Sequence, residues 1–211
     1  MAINISSGLE LLARLHKHSI LGRRMRVLSD RLKSLLPDQG SVLDVGCGNG
    51  IISRQIMADK PLLSIQGIDV LIRTECAIPV EIYDGFSFPF ENKSFDVVMF
   101  VDVLHHTADP LQLLIEAKRV ARRSIVLKDH LCDNSYALRV LTFMDWVGNR
   151  SHGVNLPYNY WSSGEWSRAW KEIRSQETEM HRSIEVKIIN DKYQSFDKLK
   201  GCSYDPKYLS F

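Results

Sequence analysis

The chain has 211 residues, 45% of them hydrophobic and 25% charged, which fits one soluble globular domain with a sizeable core. Its 27 Lys and Arg against 25 Asp and Glu leave a formal net charge of +2, so there is no global basic field for gripping nucleic acid. Four scattered cysteines, Cys47, Cys76, Cys132 and Cys202, form no C-x-x-C pair, which argues against a disulfide scaffold or zinc site, fits a reducing cytosol and leaves no metal expected.

The N-terminal stretch MAINISSGLELLARL lacks a basic region followed by an apolar signal core. The longest apolar run, Val97 to Leu104, is broken by Asp102 and is far too short to cross a bilayer. A cytoplasmic protein without membrane insertion is therefore expected. Ser7 to Leu36 reads as two helices, the second with Leu28, Leu32, Leu35 and Leu36 at helical spacing and Pro37 as its stop. The basic stretch from His16 to Lys33, with Arg23, Arg24, Arg26 and Arg31, reads as a solvated helix face.

After the turn cluster Asp38-Gln39-Gly40, Ser41 to Val45 reads as a strand, Gly46 to Gly50 as a glycine-rich loop and Ile51 to Ala58 as a short helix. Further strands are predicted at Leu63–Ile68, Pro79–Tyr83, Phe95–Val101 and Arg123–Lys128. Between the last two lies a helix with Asp109 as N-cap, Pro110 in the first turn, and Leu111, Leu114 and Ile115 along one face. Strands that are continuously apolar and alternate with helices imply a parallel sheet covered on both sides. Beyond Asp129, Ser135–Val147 and Ser162–Ile173 read as helices, with Ser163 as a plausible cap, and Gly153–Trp161 reads as an aromatic loop. In the last stretch only Ile184–Ile189 has a strand's composition.

The fold class that follows is α/β: a Rossmann-like, doubly wound, mostly parallel sheet with helices on both faces and an N-terminal helical cap. One domain spans 1–211, divided into N-terminal helices (1–37), a cofactor-binding core (41–130), a helical and aromatic substrate-side insertion (131–175) and a C-terminal segment (176–211).

The central motif is V-L-D-V-G-C-G-N-G, Val42 to Gly50. Glycines where a strand turns into a helix let the backbone approach a ligand closely. A dinucleotide fingerprint needs G-x-G-x-x-G, and Ile51 stands where the third glycine belongs. Asp44 would also repel a pyrophosphate, whereas it suits a cationic ligand. No G-K-[ST] follows, which excludes a P-loop. Asp69 ends the second strand about 20 residues on, where an acid commonly meets ribose hydroxyls. Asp84, before Gly85, ends the third and could accept from an adenine amino group. Each acid alone is more readily a turn residue, but the ordered set is harder to explain that way.

D-V-G-C-G-N-G, G-I-D-V and Y-D-G-F-S-F-P-F-E-N-K-S-F-D-V-V-M-F-V-D-V-L-H-H together resemble class I S-adenosylmethionine-dependent methyltransferases, over roughly Val42 to Lys128. Within them the chain looks most like the small-molecule group that includes quinone-biosynthesis enzymes. The resemblance implies S-adenosyl-L-methionine as cofactor. Gly46, Gly48 and Gly50, with Cys47 and Asn49, would face its methionine portion, and Asp44 its ammonium. Asp69 and Val70 would hold the ribose, Asp84 and Gly85 would sit at the adenine, and Val101 and His106 would lie beside the sulfonium. Two departures stand out: Val70 to Ile78 is too short for the helix usual there, and the tail after Glu172 lacks the expected strand pattern.

Methyl transfer needs a base only when the nucleophile must lose a proton. His130, with Asp129 as partner, is the first candidate base; His106 fits a cofactor-side wall better. His105, Tyr158, Tyr160 and Trp161 are candidate substrate contacts, the aromatics as a lid or, alternatively, a satellite core. The acceptor is expected to be a small molecule, since the fourth strand runs into V-D-V-L rather than [DNS]-P-P-[YFW] and no Pro-Cys nucleophile occurs. An RNA methyltransferase and a non-catalytic cofactor-binding module are the alternatives.

Overall fold

The computed structural model describes residues 22–23, 25–149, 157–175 and 184–189. The first predicted helix, the beginning of the aromatic loop and the tail after Ile189 lie outside these residues. Helix α1 (25–35) precedes β1 (Gln39–Val45), and then come α2 (Ile51–Asp59), β2 (Leu62–Asp69), β3 (Val80–Ile82) and β4 (Phe95–Val101). A 3-10 turn at Leu104–His106 leads to α3 (Pro110–Val120), β5 (Ala121–Lys128), α4 (Ser135–Asn149), α5 (Ser163–Ser175) and β6 (Glu185–Ile188).

All six strands pair in parallel in the order β3-β2-β1-β4-β5-β6. Alternation along each strand divides the apolar residues between two cores. Leu43, Val45, Val98, Phe100, Ile125 and Leu127 face α3 and α5, where Leu113, Leu114, Trp166 and Trp170 close over them. Val42, Ile65, Val97, Met99 and Val126 face the other way, onto Leu32 of α1 and Ile56 of α2. Both faces of the central strands β1, β4 and β5 are thus largely buried, which is why they read as apolar runs, whereas β2, nearer the edge, alternates exposed and buried residues over Leu62–Ile65.

The helix starts follow capping chemistry. Asp109 accepts the Gln112 N–H at 3.1 Å, with Pro110 in the first turn of α3. For α5 the cap is Ser162, one residue before the predicted Ser163. Ser162 Oγ accepts the Glu165 N–H at 3.3 Å, while the Glu165 carboxylate takes the Ser162 N–H at 2.8 Å, which makes a capping box. Ser163 instead donates from both N and Oγ to Asp133, tying α5 to the loop after β5.

Val70 to Ile78 forms bends and no helix, and it folds back on the glycine loop, where Ala77 N donates to Asn49 O at 2.8 Å. The one strand described beyond α5 pairs directly with β5, Ser124 opposite Glu185. Register sets the site: Val45 lies level with Ile68 and with Phe100, and Val101 with Lys128. The carboxyl ends of β1, β2, β4 and β5 therefore share one edge. Chain order reverses between β1 and β4, the switch point at which ligands bind in open parallel sheets.

Candidate active site

Two clusters of polar residues lie along that edge. The first surrounds the glycine loop. Gly46 has φ +67° and packs so tightly that a Cβ would come within 2.7 Å of both Val103 methyls. Gly48, at φ +60°, is the opposite case: a Cβ there would meet nothing within 4 Å, so this backbone opens onto free space. Asp69 Oδ2 accepts the Gly48 N–H at 2.8 Å and its Oδ1 the Leu71 N–H at 3.0 Å, so this acid braces the loop from β2. The Cys47 side chain turns inward against Gly67, and burial pushes its thiol pKa up. Asn49 receives Ala77 N through its carbonyl.

Asp44 is buried beneath the loop and takes a 2.5 Å hydrogen bond from Ser53 Oγ on α2. Burial raises its carboxyl pKa to about 7, against the Ser53 hydrogen bond and with a further upward push from Asp69. A cation arriving above the loop would reverse that cost. Asp84 lies apart, exposed, with Oδ1 accepting Phe86 N and Ser87 N at 2.7 Å each. Those two hydrogen bonds hold its carboxyl below the ordinary carboxylate range. Gly85, at φ +85°, lies under Val70.

The second cluster gathers at the ends of β4 and β5. His105 is 2% exposed and bonds Asp129 Oδ1 through Nδ1 at 2.5 Å, while Asp129 Oδ2 accepts the Leu104 N–H at 2.7 Å. On its other side Nε2 forms an ion pair with Asp145 Oδ2 of α4 at 3.1 Å. Burial pulls the imidazole pKa down, but the two carboxylates more than offset it and hold His105 at about 9, a cation at neutral pH. Burial would likewise raise Asp145; His105 and the Tyr160 hydroxyl hold it down to about 2. Tyr160 donates to Asp145 and stacks on His105, ring centroids 5.0 Å apart at 14°.

The Asp129 carboxylate thus goes to His105 rather than to the His130 ring; His130 meets it only through its backbone N–H, at 2.7 Å. The ring of His130 points to Asp102, with Nε2 3.4 Å from Oδ1. Burial keeps His130 below the usual histidine pKa, and burial followed by the neighbouring His105 does so for His106. Asp102 itself has φ +57° and pairs with the buried Lys128. Val101 ends β4 beside this turn.

Of the three aromatics, Tyr160 joins the histidine cluster, whereas Trp161 packs on Trp166 of α5 at 4.8 Å, in the manner of a satellite core. Tyr158 is half-buried with φ +54°, at the bend that lets Asn159 N bond His105 O at 2.9 Å. Sequence reasoning did not single out Ser53, Asp102, Lys128 or Asp145 as site residues. Only Asp102 carried a signal, as the charge interrupting an apolar run.

The sequence profile described as "Methyltransferase domain" matches residues 18–173. Among curated proteins, 110 residues are 30% identical to 27-O-demethylrifamycin SV methyltransferase of Amycolatopsis mediterranei, covering 45% of this chain and 40% of that protein. Another 93-residue stretch is 34% identical to an uncharacterized 37.1 kDa protein in transposon Tn4556 of Streptomyces fradiae, 39% of this chain and 27% of that one. The matches therefore span less than half of each curated relative. Among solved structures, the YcgJ protein of Bacillus subtilis superposes with a TM-score of 0.52 at 16% identity, covering 78% of this chain and 69% of that one. A SAM-dependent methyltransferase of Thermotoga maritima gives 0.50 at 15% identity, covering 78% and 77%. At such identities the likeness concerns the fold. Among the described residues no helix is long and apolar enough to cross a membrane.

Proposed function

The chain belongs to the methyltransferase domain family, and from that premise we propose that it transfers a methyl group from S-adenosylmethionine to a small-molecule acceptor held at the ends of β4 and β5. The observation that carries this reading is the sheet edge at the β1/β4 switch point, where Asp44, a buried carboxyl with no cation beside it among the described residues, lies just before the open backbone of Gly48. That combination fits a ligand bearing an ammonium and a sulfonium. Asp69 would take the ribose hydroxyls, and Asp84 the adenine amino group through Oδ2. The exposed side chains of Val70 and Phe86 supply apolar surface for the purine. Val101 and His106 form the wall beside the sulfonium.

When bound, the cofactor supplies an activated methyl and a neutral thioether leaving group. The protein's work is to orient the acceptor and exclude water. His130, kept neutral by burial, can accept a proton from an acceptor hydroxyl or amine, whereas His105, a cation, cannot. Asp129 positions this turn through the His130 N–H and through His105. Support for a small acceptor comes from the relative named for 27-O-demethylrifamycin SV. The V-D-V-L run after β4, in place of a base-methylation motif, points the same way.

Thermal shift with S-adenosylmethionine, S-adenosylhomocysteine and NAD tests the cofactor: the first two should raise Tm, by about 2.7 kcal/mol of stabilisation at 100 times Kd, and NAD should not. Radiolabelled cofactor with small-molecule extract and with bulk RNA tests the acceptor. Label appearing only in RNA would overturn the small-molecule reading. His130→Gln should lower kcat while leaving the S-adenosylhomocysteine shift in place.

A further inference from the structure

We propose that His105, His106 and Asp145 form a binding site for a divalent first-row metal ion, open on the acceptor side. The ligand atoms of these three residues lie within 4.8 Å of one another. His106 Nδ1 is buried with no hydrogen-bond partner among the described residues, and His105 Nε2 beside it faces only the Asp145 carboxylate, at 3.1 Å. Buried polar atoms in native proteins are nearly always paired, so the orphaned His106 nitrogen requires an account. The two rings converge, with centroids 4.0 Å apart.

The distance between His105 Nε2 and Asp145 Oδ2 is informative in itself. The two atoms form an ion pair at 3.1 Å. Neighbouring ligands around an ion with bonds of about 2.1 Å lie about 3.0–3.4 Å apart, and opposite ones about 4.2 Å. The observed pair therefore already has the separation of adjacent ligands, and the widest gap, up to 4.8 Å, would have to close by roughly 1.4 Å around a tetrahedral ion or by about half an ångström where that pair lies on opposite sides of an octahedral one.

The surroundings match what metal-ligating histidines require. Nδ1 of His105 is held by the Asp129 carboxylate, a partner that fixes the ring, and an ion binding Nε2 would displace the proton held there. Asp129 is in turn anchored by Leu104 N, and Tyr160 holds the Asp145 carboxylate by its hydroxyl. Two imidazoles and a carboxylate suit zinc, iron(II), manganese or nickel. Three protein ligands leave at least one position open. The metal site rests on geometry alone; its use rests on the methyl-transfer reading. There, an acceptor hydroxyl bound at the open position would release its proton to His130. The oxygen then forms the new C–O bond while the C–S bond breaks, its electron pair going to sulfur.

The experiment uses the whole 211-residue chain, stripped with a chelator and titrated with Zn2+ and with Co2+ under calorimetry, the cobalt form also being read by its visible absorption. Wild type should take up about one equivalent, and His106→Gln and Asp145→Asn should each lose affinity at least tenfold. His105→Gln should do the same; the other two variants keep the test decisive if this buried substitution prevents folding. The S-adenosylhomocysteine thermal shift, read on the same samples, should survive in Asp145→Asn. No saturable uptake near one equivalent, or variants that bind the ions as well as wild type, would overturn the metal site. A missing S-adenosylhomocysteine shift alongside intact metal binding would instead overturn the methyl-transfer reading.

Discussion

Cofactor affinity should depend on pH through a single buried carboxyl. Asp44 is 4% exposed and its pKa is raised by burial from 3.8 to about 7. At 1.36 kcal/mol per pH unit, ionising it inside the empty protein costs roughly 4 kcal/mol more than in the unfolded chain. Between about pH 4 and 7 the native state holds a proton that the unfolded state has released. The ligand-free protein therefore loses stability as pH rises through that window, and the loss is complete above 7. An ammonium over the glycine loop stabilises the ionised form, so cofactor and proton compete.

If only the carboxylate form binds, affinity rises about 25-fold between pH 5.5 and 7.5 and flattens beyond. Calorimetry with S-adenosylhomocysteine, in two buffers of different ionisation enthalpy, measures both the affinity and the proton released. Asp44→Asn should bind weakly with no such slope, and its ligand-free form should melt higher than wild type at pH 7.5. A flat wild-type profile, or the same slope in Asp44→Asn, would refute the placement of the cation above Asp44.

The two loop glycines should separate folding from binding. Gly46→Ala combines left-handed backbone strain with a clash against the Val103 methyls and should cost about 2–5 kcal/mol in denaturant melts. Gly48→Ala carries only the strain, about 1–2 kcal/mol, yet should lose most cofactor affinity because its methyl projects into open space. Asp69→Ala should blunt the cofactor-induced thermal shift more than Asp44→Asn does. It should also lower the Tm of the empty protein, since the Gly48 and Leu71 N–H groups lose their acceptor. Arg119→Met should destabilise the chain by about 1–3 kcal/mol in urea titration, because its guanidinium bonds Phe88 O, Phe90 O and Glu116.

The sheet core was legible because each strand carries its own signal. Val42–Val45 and Phe95–Val101 are largely apolar runs bounded by turn residues, as burial on both faces demands, and Leu63–Ile68 buries its apolar Leu63, Ile65 and Ile68 between polar or small residues. The errors fall at ends, where hydrogen bonds decide and hydropathy does not. β5 starts at Ala121, two residues before the predicted Arg123: Ala121 pairs with Phe95, and the exposed Arg122 and Arg123 span a shift in register before Ser124 pairs with Val97. Ser162 outcompetes Ser163 as cap because only from Ser162 does Glu165 stand three residues on. The tail gave one strand signal, at Ile184–Ile189, and one strand forms there, directly beside β5.

The two halves of the site differ in how much of them one stretch of sequence contains. Asp44, the glycines and Asp69 come from a strand, its loop and the next strand, so spacing alone proposes their company. The histidine cluster is assembled from the 3-10 turn, the end of β5, α4 and the segment around Tyr160, and nothing local announces that Asp145 will reach His105. Adjacency even misleads. In extended backbone, neighbouring side chains diverge, so an aspartate cannot easily bond the imidazole of the next residue. Asp129 does what that geometry permits: it accepts the His130 N–H and sends its carboxylate across to a histidine 24 residues earlier. A sequential Asp-His pair at a strand end is thus a poor sign of a dyad. The better sign is an acid and a histidine at the ends of two strands the sheet order makes neighbours, as β4 and β5 are here.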